Sequence, residues 1–158
     1  MIQVLSTNIT SPLGFTTEQN FQTVRLGSSA LKCHNGLWGL PEPFAASLFS
    51  EEQKAALAID GYSFFESIAI RSVREALSHT KLDIASPKVV FILSTTKGNV
   101  ELLDKPHQEA RYYPSETAQT IATAIGLTTI PIVVCNACVS GLSSQLLANH
   151  LLSAGLYD

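Results

Sequence analysis

Apolar positions along the chain recur with two periods, and their alternation sets the expected architecture. Residues 2–9 (Ile-Gln-Val-Leu-Ser-Thr-Asn-Ile) suit a first strand, ended by the turn Ser11-Pro12-Leu13-Gly14. Thr16, with Gln19 three residues on, is a capping box opening a helix that Gly27 closes. Residues 28–56 lose any period, are broken by Gly36, Gly39, Pro41 and Pro43, and read as an irregular surface excursion. A second helix starts at Asp60 or Tyr62. Phe65, Ile68, Ala69, Val73, Ala76 and Leu77 keep helical spacing along it, while Arg71, Arg74 and Glu75 turn outward as a solvated face.

Pro87 leads into Val-Val-Phe-Ile-Leu at 89–93, a second strand. Residues 95–98 form a turn, 100–104 a short helical piece and 105–114 a polar loop. Ser115 is positioned to cap a helix whose Ala118, Ile121, Ala122 and Ile125 share a face, and Gly126 ends it. The β-branched run at 130–134 suits a strand buried on both faces. A final helix runs over 138–154, with Gly155 as the left-handed residue past its end. Strands alternating with helices imply an α/β domain with a mostly parallel sheet and helices on both faces.

Charge is distributed unevenly along this pattern. From Thr117 through Tyr157 there is no Asp, Glu, Lys or Arg. The helix over 138–154 carries Val139, Leu142, Leu146, Leu147, Leu151 and Leu152 in more than one direction, with small uncharged residues between them. An ordinary surface helix shows one apolar stripe opposite a charged face. This one is expected to be covered on nearly all sides, in a large core or by a partner. Tyr157-Asp158 follows a helix C-cap, where an α/β unit would turn into its next strand, so missing structure or a covering chain is expected.

At 158 residues the chain is one domain, and 46% hydrophobic with 15% charged residues is globular. A net charge of −3 argues against a nucleic-acid partner. No charged leader precedes an apolar run, and no stretch is apolar for long enough to span a bilayer. Three cysteines is an odd count that suits a reduced cytoplasm better than a disulfide framework.

The chemistry centres on Cys138, expected at a strand-to-helix junction beside Ser140 and Gly141. Free N–H groups and the positive end of the helix dipole favour thiolate there, which is where a nucleophilic cysteine belongs. A plain buried thiol is the competing reading. Cys135-Asn136-Ala137-Cys138 also spells C-x-x-C. Only twenty residues follow Cys138, too few to complete a thioredoxin-like fold, and the nearest extra zinc ligands are the distant Cys33-His34. Ser140 lacks the flanking glycines of a hydrolase elbow. The histidines are scattered: His79 at a helix end, His107 in the polar loop and His150 three turns along the last helix, so none must be the thiol's base.

Ala137-Cys138-Val139-Ser140-Gly141, followed by the long apolar helix to Gly155, resembles the active-site cysteine segment of β-ketoacyl synthases, condensing enzymes with the thiolase fold. Ser11-Pro12-Leu13-Gly14 and Leu26-Gly27-Ser28 resemble the family's opening segment, 60–77 its first long helix, 90–98 its second strand and turn, and 122–127 the helix before the cysteine strand. Thr7-Asn8 and Thr95-Thr96-Lys97 depart from its usual glycine-containing turns. The match spans 1–158 as an N-terminal half only, without the second half that carries two catalytic histidines. The resemblance implies Cys138 as acyl-accepting nucleophile, its backbone N–H as an oxyanion donor, and a phosphopantetheine-bearing acyl carrier protein as partner, with no cofactor and no metal. It also implies decarboxylative condensation by the complete enzyme, in fatty acid or polyketide synthesis. Association is expected through 130–134 and 138–154, in a homodimer or with another chain. A non-catalytic thiolase-fold partner subunit and a C-x-x-C redox or metal protein are the alternatives.

Overall fold

A computed structural model describes residues 2–104 and 110–158. Its elements, in order, are α1 (Thr17–Arg25), β1 (Leu31–His34), β2 (Phe44–Ser47), α2 (Glu51–Leu57), α3 (Phe64–Ser78), β3 (Ile92–Ser94), α4 (Pro114–Ile125), β4 (Ile132–Val134) and α5 (Ser140–Ser153). The domain is mixed α/β. Among the described residues the strands form two separate pairs, antiparallel β1–β2 and parallel β3–β4.

Local chemistry explains most of the helix ends. Thr16 accepts from the Gln19 N–H and caps α1, while Gln19 Oε1 accepts from Phe15 N at 2.7 Å, one residue earlier than a reciprocal capping box requires. Ser50 with Gln53 and Ser63 with Glu66 complete true capping boxes on α2 and α3. Ser63, not Asp60 or Tyr62, therefore starts α3. Tyr113 stands at the N-cap of α4 without a side-chain bond and Pro114 takes the first helical position, so Ser115 is not the cap. Proline's fixed φ already fits the first turn and its missing N–H needs no partner there. Gly126, at φ 87°, closes α4 in the left-handed conformation, as expected.

Four sequence expectations are corrected here. Residues 2–9 pair with no strand among the described residues, and Val4 and Leu5 are 81% and 69% exposed. Side chains tie that segment's end down instead: Asn20 Nδ2 donates to Ile9 O at 2.9 Å and Asn8 Nδ2 to Ser72 Oγ at 3.0 Å. Within 28–56, the glycines and prolines mark only the connection between β1 and β2, which pair from Leu31↔Ser47 to His34↔Phe44, and α2 follows. The strand at 130–134 begins only after Pro131, which lacks a ladder N–H. Ile130 is left 83% exposed, and β4 is half-buried rather than covered on both faces. The expected strand at 89–93 is likewise trimmed to Ile92–Ser94.

The core lies where α3 and α4 pack on the parallel pair. Ile70, Ala118 and Ile121 are fully buried with Leu93, and Val89, Ala122 and Leu127 form an adjoining cluster. Three of the four residues expected on the buried face of α4 are thus 0% exposed. The chain passes from β3 through α4 to β4, which lies parallel in the register Ile92↔Ile132, Leu93↔Val133, Ser94↔Val134. A crossover helix is what a parallel pair requires.

α5 packs on β3 and β4, yet none of its side chains belongs to either core cluster. Ser140 is its only buried residue, while Leu142 and Leu146 are 60% and 52% exposed. Among the described residues the charge-free helix is therefore not covered on nearly all sides. Among the described residues no helix is long and apolar enough to cross a membrane.

Candidate functional site

The carboxyl ends of β3 and β4 bring two turns together. Thr95 N donates to Val134 O at 3.2 Å, continuing the ladder one step past β3. The Thr95 hydroxyl then accepts from Gly98 N at 2.9 Å and Lys97 N at 3.3 Å, folding 95–98 into the expected turn. Beside it, 135–139 leads from β4 into α5. In open α/β sheets this end of the strands is where ligands bind.

Cys138 occupies the middle of a single 3₁₀ turn, Ala137–Val139, directly ahead of α5. Its side chain is exposed and free, as are Cys135 and Cys33. The junction reading of Cys138 is thus realised, with the α-helix itself starting two residues later than 138. The buried-thiol alternative does not describe it.

Backbone geometry is unusual one residue earlier. Ala137 has φ 45°, a left-handed conformation that costs a residue with a Cβ of order 1–3 kcal/mol. Ser140 holds it there. Its hydroxyl donates to Ala137 O at 2.8 Å and accepts from Asn136 N at 2.8 Å, and the residue is only 6% exposed. Asn136 Nδ2 adds a bond to Ser143 Oγ at 3.0 Å. Ser140 is therefore the clasp of the turn that presents Cys138. Gly141 has open space around its Cβ position, so the turn does not need a glycine there.

The histidines do not converge on the thiol. His34 lies 3.3 Å from Ala46 O in the hairpin, His79 lies 3.3 Å from Glu75 Oε1 at the end of α3, and His150 sits in the last turn of α5. Residues 105–109 of the polar loop expected at 105–114, His107 among them, lie outside the described residues. Among the described residues no three His, Cys, Asp or Glu side chains come together as a metal site. Cys33 and His34 lie on β1, in the separate antiparallel pair, away from Cys135 and Cys138.

A second polar constellation escaped the sequence reading. Glu66, wholly buried at the start of α3, accepts from Ser63 N at 2.8 Å and Asn99 Nδ2 at 2.8 Å, and is paired with the Arg111 guanidinium. Asn99 also donates to Arg111 O, which the Thr117 hydroxyl shares at 2.9 Å. Every member is satisfied, so this network ties α3, the turn after β3 and the start of α4 together. The signal was present as the S-x-x-E of Ser63 and Glu66; its long-range partners Asn99 and Arg111 had none. No family model matches this chain, and no curated protein matches its sequence.

Proposed function

We propose that the chain is the N-terminal half of a thiolase-fold condensing enzyme of the β-ketoacyl-(acyl-carrier-protein) synthase kind, with Cys138 as the acyl-accepting nucleophile. The observation that carries the reading is an exposed, free thiol on the strained turn between β4 and α5, at the carboxyl end of a parallel strand pair. In this reading the Cys138 thiolate attacks the carbonyl carbon of a phosphopantetheine thioester on an acyl carrier protein. The tetrahedral oxyanion accepts a hydrogen bond from the Cys138 N–H, then collapses. The carrier's thiolate leaves and takes up a proton, and the acyl group stays on Cys138. Decarboxylation and carbon–carbon bond formation belong to the second half with its histidines, so this chain alone takes up acyl groups without condensing them. The exposed face of α5 and the edge at 130–134 are the surfaces proposed to meet that half, a second copy or a partner subunit.

The test is alkylation by iodoacetamide followed by peptide mapping. Cys33, Cys135 and Cys138 are all exposed, so accessibility alone does not separate them. Modification of Cys138 well ahead of the other two supports the nucleophile, and equal labelling of all three overturns it. A non-catalytic scaffold is the second reading, favoured by the lack of an imidazole bonded to the thiol among the described residues, and it expects slow labelling at Cys138. Joint protection of Cys135 and Cys138 by oxidation or zinc would point to the C-x-x-C alternative.

A further inference from the structure

Arg71 and Arg74, one turn apart on α3, share a face of that helix. Both are exposed, as their spacing suggested, and their guanidiniums also bond to backbone carbonyls of neighbouring helices. Arg71 donates from Nε to Leu57 O at 2.7 Å and from Nη2 to Ala58 O at 3.1 Å, and Arg74 donates from Nη2 to Ala124 O at 2.8 Å. Those carbonyls belong to the C-terminal ends of α2 and α4, where cations are favourable. Capping accounts for three N–H donors, out of five on each guanidinium.

Both arginines also line one cavity of about 490 Å³, with Thr10, Phe15, Leu57 and Ile59 among its other walls. That size lies within the range of small-molecule sites, which combine apolar walls with a few fixed polar groups. Glu75 is the one carboxylate lining it, and His79 Nε2 lies 3.3 Å from its Oε1. Two guanidiniums against one carboxylate leave the walls positive on a chain whose net charge is −3. The backbone carbonyls have already fixed the arginine rotamers, so an incoming anion meets donors whose ordering cost is spent.

We infer that this cavity binds an oxyanion carried on a small apolar body, a carboxylate or a phosphate monoester. Arg71 and Arg74 hold the charged end and Phe15, Leu57 and Ile59 receive the apolar part. The inference is independent of the Cys138 reading, and either can fail without the other.

Titrating the full-length chain with sodium hexanoate and separately with inorganic phosphate, while following the arginine Nε–Hε resonances by NMR, tests it. Saturable shifts of Arg71 and Arg74 with hexanoate are expected, at least tenfold weaker in Ala56→Glu. That substitution adds a carboxylate at an exposed wall position and leaves both arginine residues in the sequence. Arg74→Lys is expected to weaken binding similarly while far-UV circular dichroism stays unchanged. Saturation by both probes assigns a general oxyanion site, and by hexanoate alone a carboxylate site. Phosphate binding tighter than hexanoate would overturn the role of the apolar wall. Non-saturating shifts, or shifts that Ala56→Glu leaves intact, would overturn the site.

Discussion

Ala137 and Ser140 are the two residues on which the presentation of Cys138 turns. Ala137→Gly removes the left-handed penalty and is expected to stabilise the domain by up to about 1 kcal/mol, read as a higher midpoint in urea unfolding. Ser140→Ala leaves Asn136 N without its acceptor, while Ala137 O keeps the backbone N–H of residue 140, and is expected to cost about 1–3 kcal/mol. If the clasp also positions the thiol, the same variant slows alkylation at Cys138 while Cys33 keeps its rate. The sequence marked Ser140 and Gly141 together, but only the serine does anything the structure requires. A lone hydroxyl gives no hint in sequence of whether it reacts, packs or closes a turn. That depends on which backbone groups face it.

Among the elements, α4 was the most legible, because a period of small and β-branched residues ending in glycine has one structural solution. Ile121 is its most enclosed large side chain, and Ile121→Ala is expected to destabilise the fold by about 2–5 kcal/mol in chemical denaturation. The caps were partly legible. The Ser50 hydroxyl, followed by the backbone at Glu52, holds the Glu52 carboxyl below its ordinary range. Ser50→Ala should therefore raise that value in an NMR titration and cost about 1 kcal/mol of cap energy. Because the folded value is depressed, the stability linked to this carboxyl is present above its unfolded range and lost as pH falls through the folded one. The hairpin β1–β2 was not legible. Four-residue strands around a glycine- and proline-rich connection give too short an alternation to stand out. The first strand failed for the opposite reason: an alternating run needs an edge to pair with, and residues 2–9 find none here.

Taken whole, the molecule exposes more surface than its mass calls for. Its accessible area is 10308 Å², against about 7,700 Å² for a compact monomer of 17.0 kDa. The excess includes Leu142 and Leu146 on α5, Ile130 beside β4, and Val4 and Leu5 near the start. A stable pair buries about 800 Å² on each partner, so the difference is ample for an interface. Under the proposed function the isolated chain therefore elutes from a sizing column as an assembly, and a soluble 17.0 kDa monomer would count against that association. The same reading expects no condensation product when the purified chain is mixed with acyl- and malonyl-carrier protein, and product formation would refute it. At this scale the Glu66–Arg111 pair matters as well. It is buried on the Glu66 side, and Arg111→Ala strands that carboxylate, so a loss of about 3–5 kcal/mol is expected.

What the sequence by itself determined is local: helix periods, capping residues, the glycines that end α1, α4 and α5, and a cysteine between a β-branched run and a helix. Such features depend on neighbours a few residues apart, and covalent connectivity guarantees those neighbours. Tertiary structure decided the rest. It alone set which strands found partners, made Arg71 and Arg74 fixed donors lining a cavity, joined Glu66 to Arg111, and left one face of α5 open to solvent. Each of those outcomes depends on chain segments dozens of residues apart meeting in space, and no pattern along a single stretch records which segment it will meet.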